Sequence, residues 1–202
     1  FQKELSEFLY GELEEVQIQA NAEAIPDKDK KTLLTVLHSI VHDDAQFNEI
    51  NEINFDYIRF PSDGNIKDIA YPTSIASKGD AIRLFWEHLH QVMTVESHIP
   101  TSADVFGLTT EAKDDMGIGQ VLENALPNFD FIAPMIYPSH YPKGYQGFKN
   151  PAEKPYDVVS IAMKKGVERA VALGMDAAKF RPWIQDFNMG ATYTAAMVQD
   201  QI

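Results

Sequence analysis

From residue 50 onward, short apolar runs rich in Ile, Phe, Tyr and Val alternate with longer amphipathic stretches, and few folds accommodate that rhythm. The runs fall at about 52–60, 100–107, 130–137 and 180–187, and each reads as a strand. The stretches between them read as helices. Ser77 stands three residues before Asp80 as a capping box, and Ile82, Phe85, Leu89 and Val92 share one face behind it. A short helix is expected near 118–126 and a longer one over about 156–173, carrying Val158, Val159, Ala162, Met163 and Val171, with Gly174 where a C-terminal cap belongs. A fourth starts near Thr194. Strands joined by crossovers of a dozen or more residues can pair in parallel, so the expected fold class is α/β.

Two architectures compete for such a chain. A doubly wound sheet would announce a glycine-rich phosphate turn after its first strand, but Gly117-Ile118-Gly119 lacks the third glycine and follows a loop. A (β/α)8 barrel instead gathers polar residues at the C-terminal ends of several strands, which is the pattern here. The expectation is therefore a partial TIM barrel over residues 50–202. Such a barrel typically needs about 250 residues; with four recognisable strands in 202 residues and ends that read as cut, the chain is expected to be an internal piece of a larger barrel. Residues 1–49 differ in composition. The first fifty positions hold eleven acidic and four basic side chains, just over half of the net charge of −13. Leu5, Phe8 and Leu9, then Leu33, Leu34, Val36, Leu37 and Ile40, recur near helical spacing around a break at Ala24-Ile25-Pro26-Asp27, so this segment is expected to be mainly helical. Val16-Gln17-Ile18-Gln19 alternates and fits a short strand as well as a helix.

The charge narrows the partners. A chain at −13 repels nucleic acid and anionic membrane surfaces. No window approaches the roughly eighteen apolar residues of a spanning helix, so no membrane insertion is expected. Without cysteine, thiol nucleophiles, disulfides and cysteine zinc sites are excluded.

The chemistry gathers at the strand ends. Side chains alternate along a strand, so Asn54 and Asp56 share a face, as do Ser102 and Asp104, and as do Trp183 and Gln185, with Asp186 on the opposite parity unless its strand ends early. The third strand ends in Tyr137, followed by Pro138-Ser139-His140-Tyr141. In a barrel, Asp56, Asp104, Tyr137 and Gln185 converge on one mouth. Two carboxylates, an amide and a collar of Tyr, Trp and Phe suit a neutral polyhydroxylated ligand, because aromatic faces stack on the C–H side of a sugar while carboxylates and amides take its hydroxyls.

Taken together, Glu52-Ile53-Asn54-Phe55-Asp56-Tyr57-Ile58-Arg59-Phe60-Pro61, Ala103-Asp104-Val105-Phe106-Gly107, Pro134-Met135-Ile136-Tyr137-Pro138-Ser139-His140-Tyr141 and Arg181-Pro182-Trp183-Ile184-Gln185-Asp186-Phe187 are the basis of a family resemblance. Residues 50–202 resemble a bacterial TIM-barrel family of glycoside hydrolase type, long known only as a domain of unknown function. The resemblance implies that these segments are the fourth to seventh barrel strands, with three strands before them and a further helix–strand unit after them; residues 1–48 do not match those first three strands. It implies Asp56 as nucleophile or transition-state stabiliser and Asp104 as general acid/base. It implies Arg59 as a group that orients or neutralises Asp56, and Asn54, Tyr137, His140, Trp183, Gln185 and Asp186 as contacts to sugar, with no cofactor.

Each residue has a plainer reading beside this one. Asp56 lies just before the Pro61-Ser62-Asp63-Gly64 turn and fits a turn cap; Asp104, close to Gly107, fits a loop anchor; Arg59 fits a structural ion pair; Tyr137 and Trp183 fit core aromatics. No metal site is expected. His88 and His90 have the wrong helical spacing to share an ion, His42-Asp43-Asp44 has no partner cluster, and Asp63–Asp68 lacks the terminal Glu of a calcium loop. The leading function is hydrolysis of a polysaccharide through two carboxylates, for which an extracellular or envelope location is the natural setting. The alternative is a carbohydrate-binding barrel without turnover. A phosphosugar isomerase or aldolase would need a phosphate-gripping loop and a lysine late in a strand, whereas Lys179 precedes its strand and Lys143 follows its own.

Overall fold

The computed structural model describes residues 51–69, 71, 77–94 and 99–202. The helices and the short strand expected within residues 1–49 lie outside these. The chain divides into two compact units.

The described part of the first unit is organised by helix α1 (Lys78–Val92). Ser77 caps the helix as the sequence predicts, its Oγ accepting the Asp80 N–H at 3.0 Å; the Asp80 carboxylate answers by accepting the Ser77 hydroxyl at 2.7 Å rather than through the backbone bond of a full capping box. Ala81, Ile82, Phe85 and Trp86 are buried, so Ile82 and Phe85 lie in the core as expected and Trp86 joins them, while Leu89 is half-buried. Phe60 meets Tyr71 edge-on at 5.0 Å, and the Lys78 ammonium lies 5.3 and 5.2 Å from their ring centres. Asp63–Asp68 is a turn closing into a single 3-10 turn at Ile66–Asp68, as expected.

The second unit carries the sheet. Strands β1 (Ile53–Phe55), β2 (Thr101–Phe106), β3 (Phe131–Ile136) and β4 (Trp183–Ile184) stand in the order β1-β2-β3-β4. Pairing is parallel between β2 and β3, with Asp104 opposite Ala133, and between β3 and β4, with Met135 opposite Trp183. A doubly wound sheet reverses its strand order at a switch point; here neighbours in sequence are neighbours in the sheet, as in a barrel. The fold is α/β, a partial (β/α)8 barrel. Five of the six β2 residues are buried, as befits a parallel strand covered on both faces.

Two strands are shorter than the sequence predicts. β1 stops at Phe55 because Tyr57 takes φ 58°, a left-handed conformation that no strand continues through. β4 is reduced to two residues because Pro182 offers no N–H; upstream of it lie a bridge from Phe180 to Ile132 and the Arg181 N–H to Ile132 carbonyl bond at 2.9 Å.

Helices α2 (Leu122–Ala125), α3 (Pro155–Ala172) and α4 (Ala195–Gln199) follow their strands close to the expected places. Val158, Val159 and Ala162 of α3 pack with Ile136 and Tyr141 in one buried cluster, whereas Val171, expected on the same face, is exposed. Gly174 at φ 73° caps α3 as expected: its N–H bonds to Val171 O at 2.9 Å and that of Met175 to Ala170 O at 3.0 Å, a Schellman arrangement. Thr194 caps α4 by accepting the Met197 N–H. No helix among the described residues is long and apolar enough to cross a membrane.

Gly107 ends β2 where two strands come closest. A Cβ there would lie 2.6 Å from the Tyr141 hydroxyl and 2.7 Å from the Met135 carbonyl oxygen, which belongs to the backbone of β3. Gly107→Ala therefore has to push β2 from β3. The expected cost is about 1–3 kcal/mol, read as a lowered midpoint in thermal denaturation; an unchanged midpoint would show that the backbone yields freely.

Candidate active site

Of the residues expected at the strand ends, Asn54 and Trp183 meet at Asp104. It lies late in β2 and is buried, and its Oδ1 accepts two hydrogen bonds, from Asn54 Nδ2 of β1 at 3.0 Å and from the Trp183 indole Nε1 of β4 at 2.8 Å. Asn54 also donates to Ser102 Oγ at 2.9 Å, so the shared face of Asn54, Ser102 and Asp104 is realised across two strands. Behind it, buried Gln120 secures the β2 backbone, donating to Asp104 O at 3.3 Å and accepting the Phe106 N–H at 2.9 Å. Burial pushes the Asp104 carboxyl above the ordinary carboxylate range; the bonds from Trp183 and Asn54 oppose that push, and the negative charge of Asp56 adds to it.

Asp56 stands just beyond the end of β1, exposed, and accepts the N–H of Tyr57 at 2.6 Å. Tyr57 is itself one of three non-glycine residues with positive φ among the described residues, so the backbone directly after this carboxylate is held in a sparsely populated conformation. Tyr137 follows β3. Burial raises the pKa of its phenol, and the charges of Asp104, Asp56 and Asp186 raise it further. Three carboxylates from three strand ends thus act on one hydroxyl. Asp186 joins them because β4 stops at Ile184, which releases it from the alternation that would have pointed it away.

The aromatic groups divide between two places. Trp183 is half-exposed, its N–H committed to Asp104 and its ring open to solvent. Tyr137, His140 and Phe187 form a second cluster, with Tyr137 5.3 Å from His140 and 5.4 Å from Phe187, and His140 edge-on to Phe187 at 6.3 Å. Ser139 Oγ sits 3.1 Å from His140 Nδ1. Phe187, 39% exposed, and Met189, 52% exposed, extend this apolar rim beyond the residues singled out from sequence. Phe187 lies past the end of β4, where strand parity gives no guide to direction.

One expected contact is placed differently. Gln185 is fully buried and does not face the mouth: its Oε1 accepts the Ser139 N–H at 3.0 Å, and its Nε2 donates to Phe187 O at 2.9 Å and Met189 O at 3.3 Å. Its backbone is answered by Gln201, which accepts from Gln185 N at 2.9 Å and donates to Gln185 O at 2.8 Å. The alternation expected for an eight-residue strand fails here because β4 is only two residues long. Gln185 ties the segment after β3 to the segment after β4, and a partner sixteen residues downstream has no local signal in the sequence. The Arg59 guanidinium donates to Phe60 O at 3.0 Å and Ser62 Oγ at 3.2 Å.

Among the described residues no group of three or more His, Asp and Glu side chains is arranged to hold a metal ion. What remains is a buried carboxyl with raised proton affinity, an exposed carboxylate whose charge reaches it, and the Trp183 ring bonded to the first. Such a set can donate a proton and face a developing positive charge.

No curated protein matches the chain. Among solved structures, the PgaB (BpsB) glycoside hydrolase domain from Bordetella bronchiseptica is similar at 20% identity and a TM-score of 0.32, over 45% of this chain. The chain spans 26% of the length of that structure. Residues 40–202 match the family model described as "Putative glycosyl hydrolase domain", and the chain belongs to that family.

Proposed function

We propose that the site cleaves a glycosidic bond of a polysaccharide, with Asp104 as general acid/base and Asp56 as the opposing carboxylate. The observation that carries this reading is the contrast between the two: Asp104 is buried and its carboxyl holds its proton more tightly than usual, while Asp56 is exposed at the end of the neighbouring strand and its charge acts on Asp104. Environments that set two nearby carboxyls apart assign an acid and a base.

In this mechanism the proton leaves Asp104 for the glycosidic oxygen as the C1–O bond breaks, and the bonding electrons stay with the departing oxygen. Positive charge grows on the sugar ring, where the Asp56 carboxylate meets it. Water completes the hydrolysis, supplying hydroxyl to C1 and its proton to a carboxylate. Trp183 offers a ring face for one sugar, and Tyr137, His140 and Phe187 offer a rim for its neighbour. Asn54, expected from sequence to touch sugar, also holds the acid, and Gln185 holds the rim; Asp186 is a third carboxylate whose charge acts on Tyr137.

The test is release of reducing ends from a panel of neutral and amino-sugar polysaccharides by the parent and by Asp56→Asn. The expected result is cleavage of at least one polymer by the parent and a loss of about 10³-fold or more in the variant. Binding without cleavage by the parent across the whole panel would leave the carbohydrate-binding barrel as the function.

A further inference from the structure

We infer that Trp183 and Asn54 are positioning residues that fix which oxygen of Asp104 carries the catalytic proton, namely Oδ2. The inference rests on the proposed function for its catalytic meaning but on hydrogen-bond geometry for its substance. A carboxyl oxygen has two lone pairs. On Oδ1 of Asp104 both are taken, one by the Trp183 indole N–H at 2.8 Å and one by Asn54 Nδ2 at 3.0 Å. The indole is a donor with no acceptor capacity, and the donors converge from β4 and β1 on either side of β2. Asn54 is further constrained, because the same Nδ2 that reaches Asp104 also donates to Ser102 Oγ at 2.9 Å, which keeps its amide nitrogen toward β2. A proton added to Asp104 therefore resides on Oδ2, the oxygen that accepts none of these bonds.

This has a catalytic use. A carboxylic acid whose proton can sit on either oxygen spends part of its time with the proton turned into the protein. With Oδ1 doubly occupied, the proton stays on one atom in both directions of transfer: it leaves Oδ2 for the glycosidic oxygen as the C–O bond breaks, and water returns a proton to Oδ2 when the carboxylate next acts as base. The two N–H donors stay on Oδ1 throughout and stabilise the carboxylate that forms. Trp183 thus serves through its nitrogen as well as through its ring. The titratable groups whose charges act at this place are Asp56 after β1 and Tyr137 after β3, with Asp186 after β4 acting on Tyr137.

Trp183→Phe tests this, since it keeps an aromatic ring at a half-exposed position and deletes the donor. The readout is the Asp104 carboxyl titration followed by carbon NMR on protein labelled at aspartate, with the resonance identified by its absence in Asp104→Asn. Losing one bond to the charged form is expected to move the midpoint upward by about one pH unit, with the thermal midpoint little changed. A tryptophan serving only as a sugar platform leaves the titration where it was, and that result, or a downward movement, overturns the inference. Asn54→Ala should move the midpoint in the same direction. The titration needs no substrate, so a protein that cleaves nothing defeats the proposed hydrolysis without touching this result. If the parent does cleave, the basic limb of its pH–rate profile should move upward with the titration in Trp183→Phe.

Discussion

Asp104→Asn is expected to lower polysaccharide cleavage by about 10²–10⁴-fold while leaving glycan binding and thermal stability close to the parent. The amide is isosteric and can turn its oxygen to accept the same N–H groups of Trp183 and Asn54 that reach Oδ1 now. What it lacks is a proton to give. The loss should therefore depend on the leaving group: an aryl glycoside that departs as a stable phenolate needs little protonation, and Asp104→Asn should retain much more activity on it than on polymer. Asp56→Asn should lose both activities together, since charge at C1 develops whatever group leaves. Reducing-end assays on polymer and chromophore release from the aryl glycoside measure the contrast. Equal losses in Asp104→Asn on both substrates, or polymer activity within tenfold of the parent, would remove it from the role of acid.

The largest structural effect is expected at Gln185. Replacing it with Leu keeps its volume but removes the acceptor for the Ser139 N–H and the donors to the Phe187 and Met189 carbonyls, at a position with no solvent exposure. Unanswered buried polar groups cost about 1–3 kcal/mol each, and partial access of water to this segment brings the sum to about 2–4 kcal/mol. For a chain of this size that is a fall of roughly 5–15 °C in thermal midpoint. The aromatic rim should loosen with it, because Ser139–His140 and Phe187 are held to one another through this side chain. Residual activity in Gln185→Leu should show a raised KM more than a lowered kcat. A melting curve within a degree of the parent would mean that the backbone groups find other partners and that Gln185 is no hinge point of the rim.

The meeting of Asn54, Ser102 and Asp104 was legible in the sequence because β2 is a regular six-residue strand and its period of two carries Ser102 and Asp104 to one face, which Asn54 of the neighbouring strand shares. The serine cap at Ser77 and the glycine cap at Gly174 were legible for a similar reason, since both are local signals decided within one turn. Parity failed at β4. Pro182 interrupts the ladder on one side and the strand stops at Ile184 on the other, so Gln185 turned inward and Asp186 came to the side of Tyr137. Val171 was misjudged because helical spacing says which residues share a face but not how far along the helix the neighbouring layer extends.

By itself the sequence determined the class of fold, the order of its strands and the residue types at their ends, because hydrophobic period and turn chemistry act over a few residues. Only the tertiary structure decided which oxygen of Asp104 is occupied and by whom, that Gln185 belongs to the framework, and that Phe187 belongs to the rim. Those outcomes depend on donors 50 and 79 residues away from Asp104 and on a glutamine 16 residues from Gln185. Hydrogen bonds of this kind are set by where strands lie side by side, and no local pattern along the chain encodes that distance.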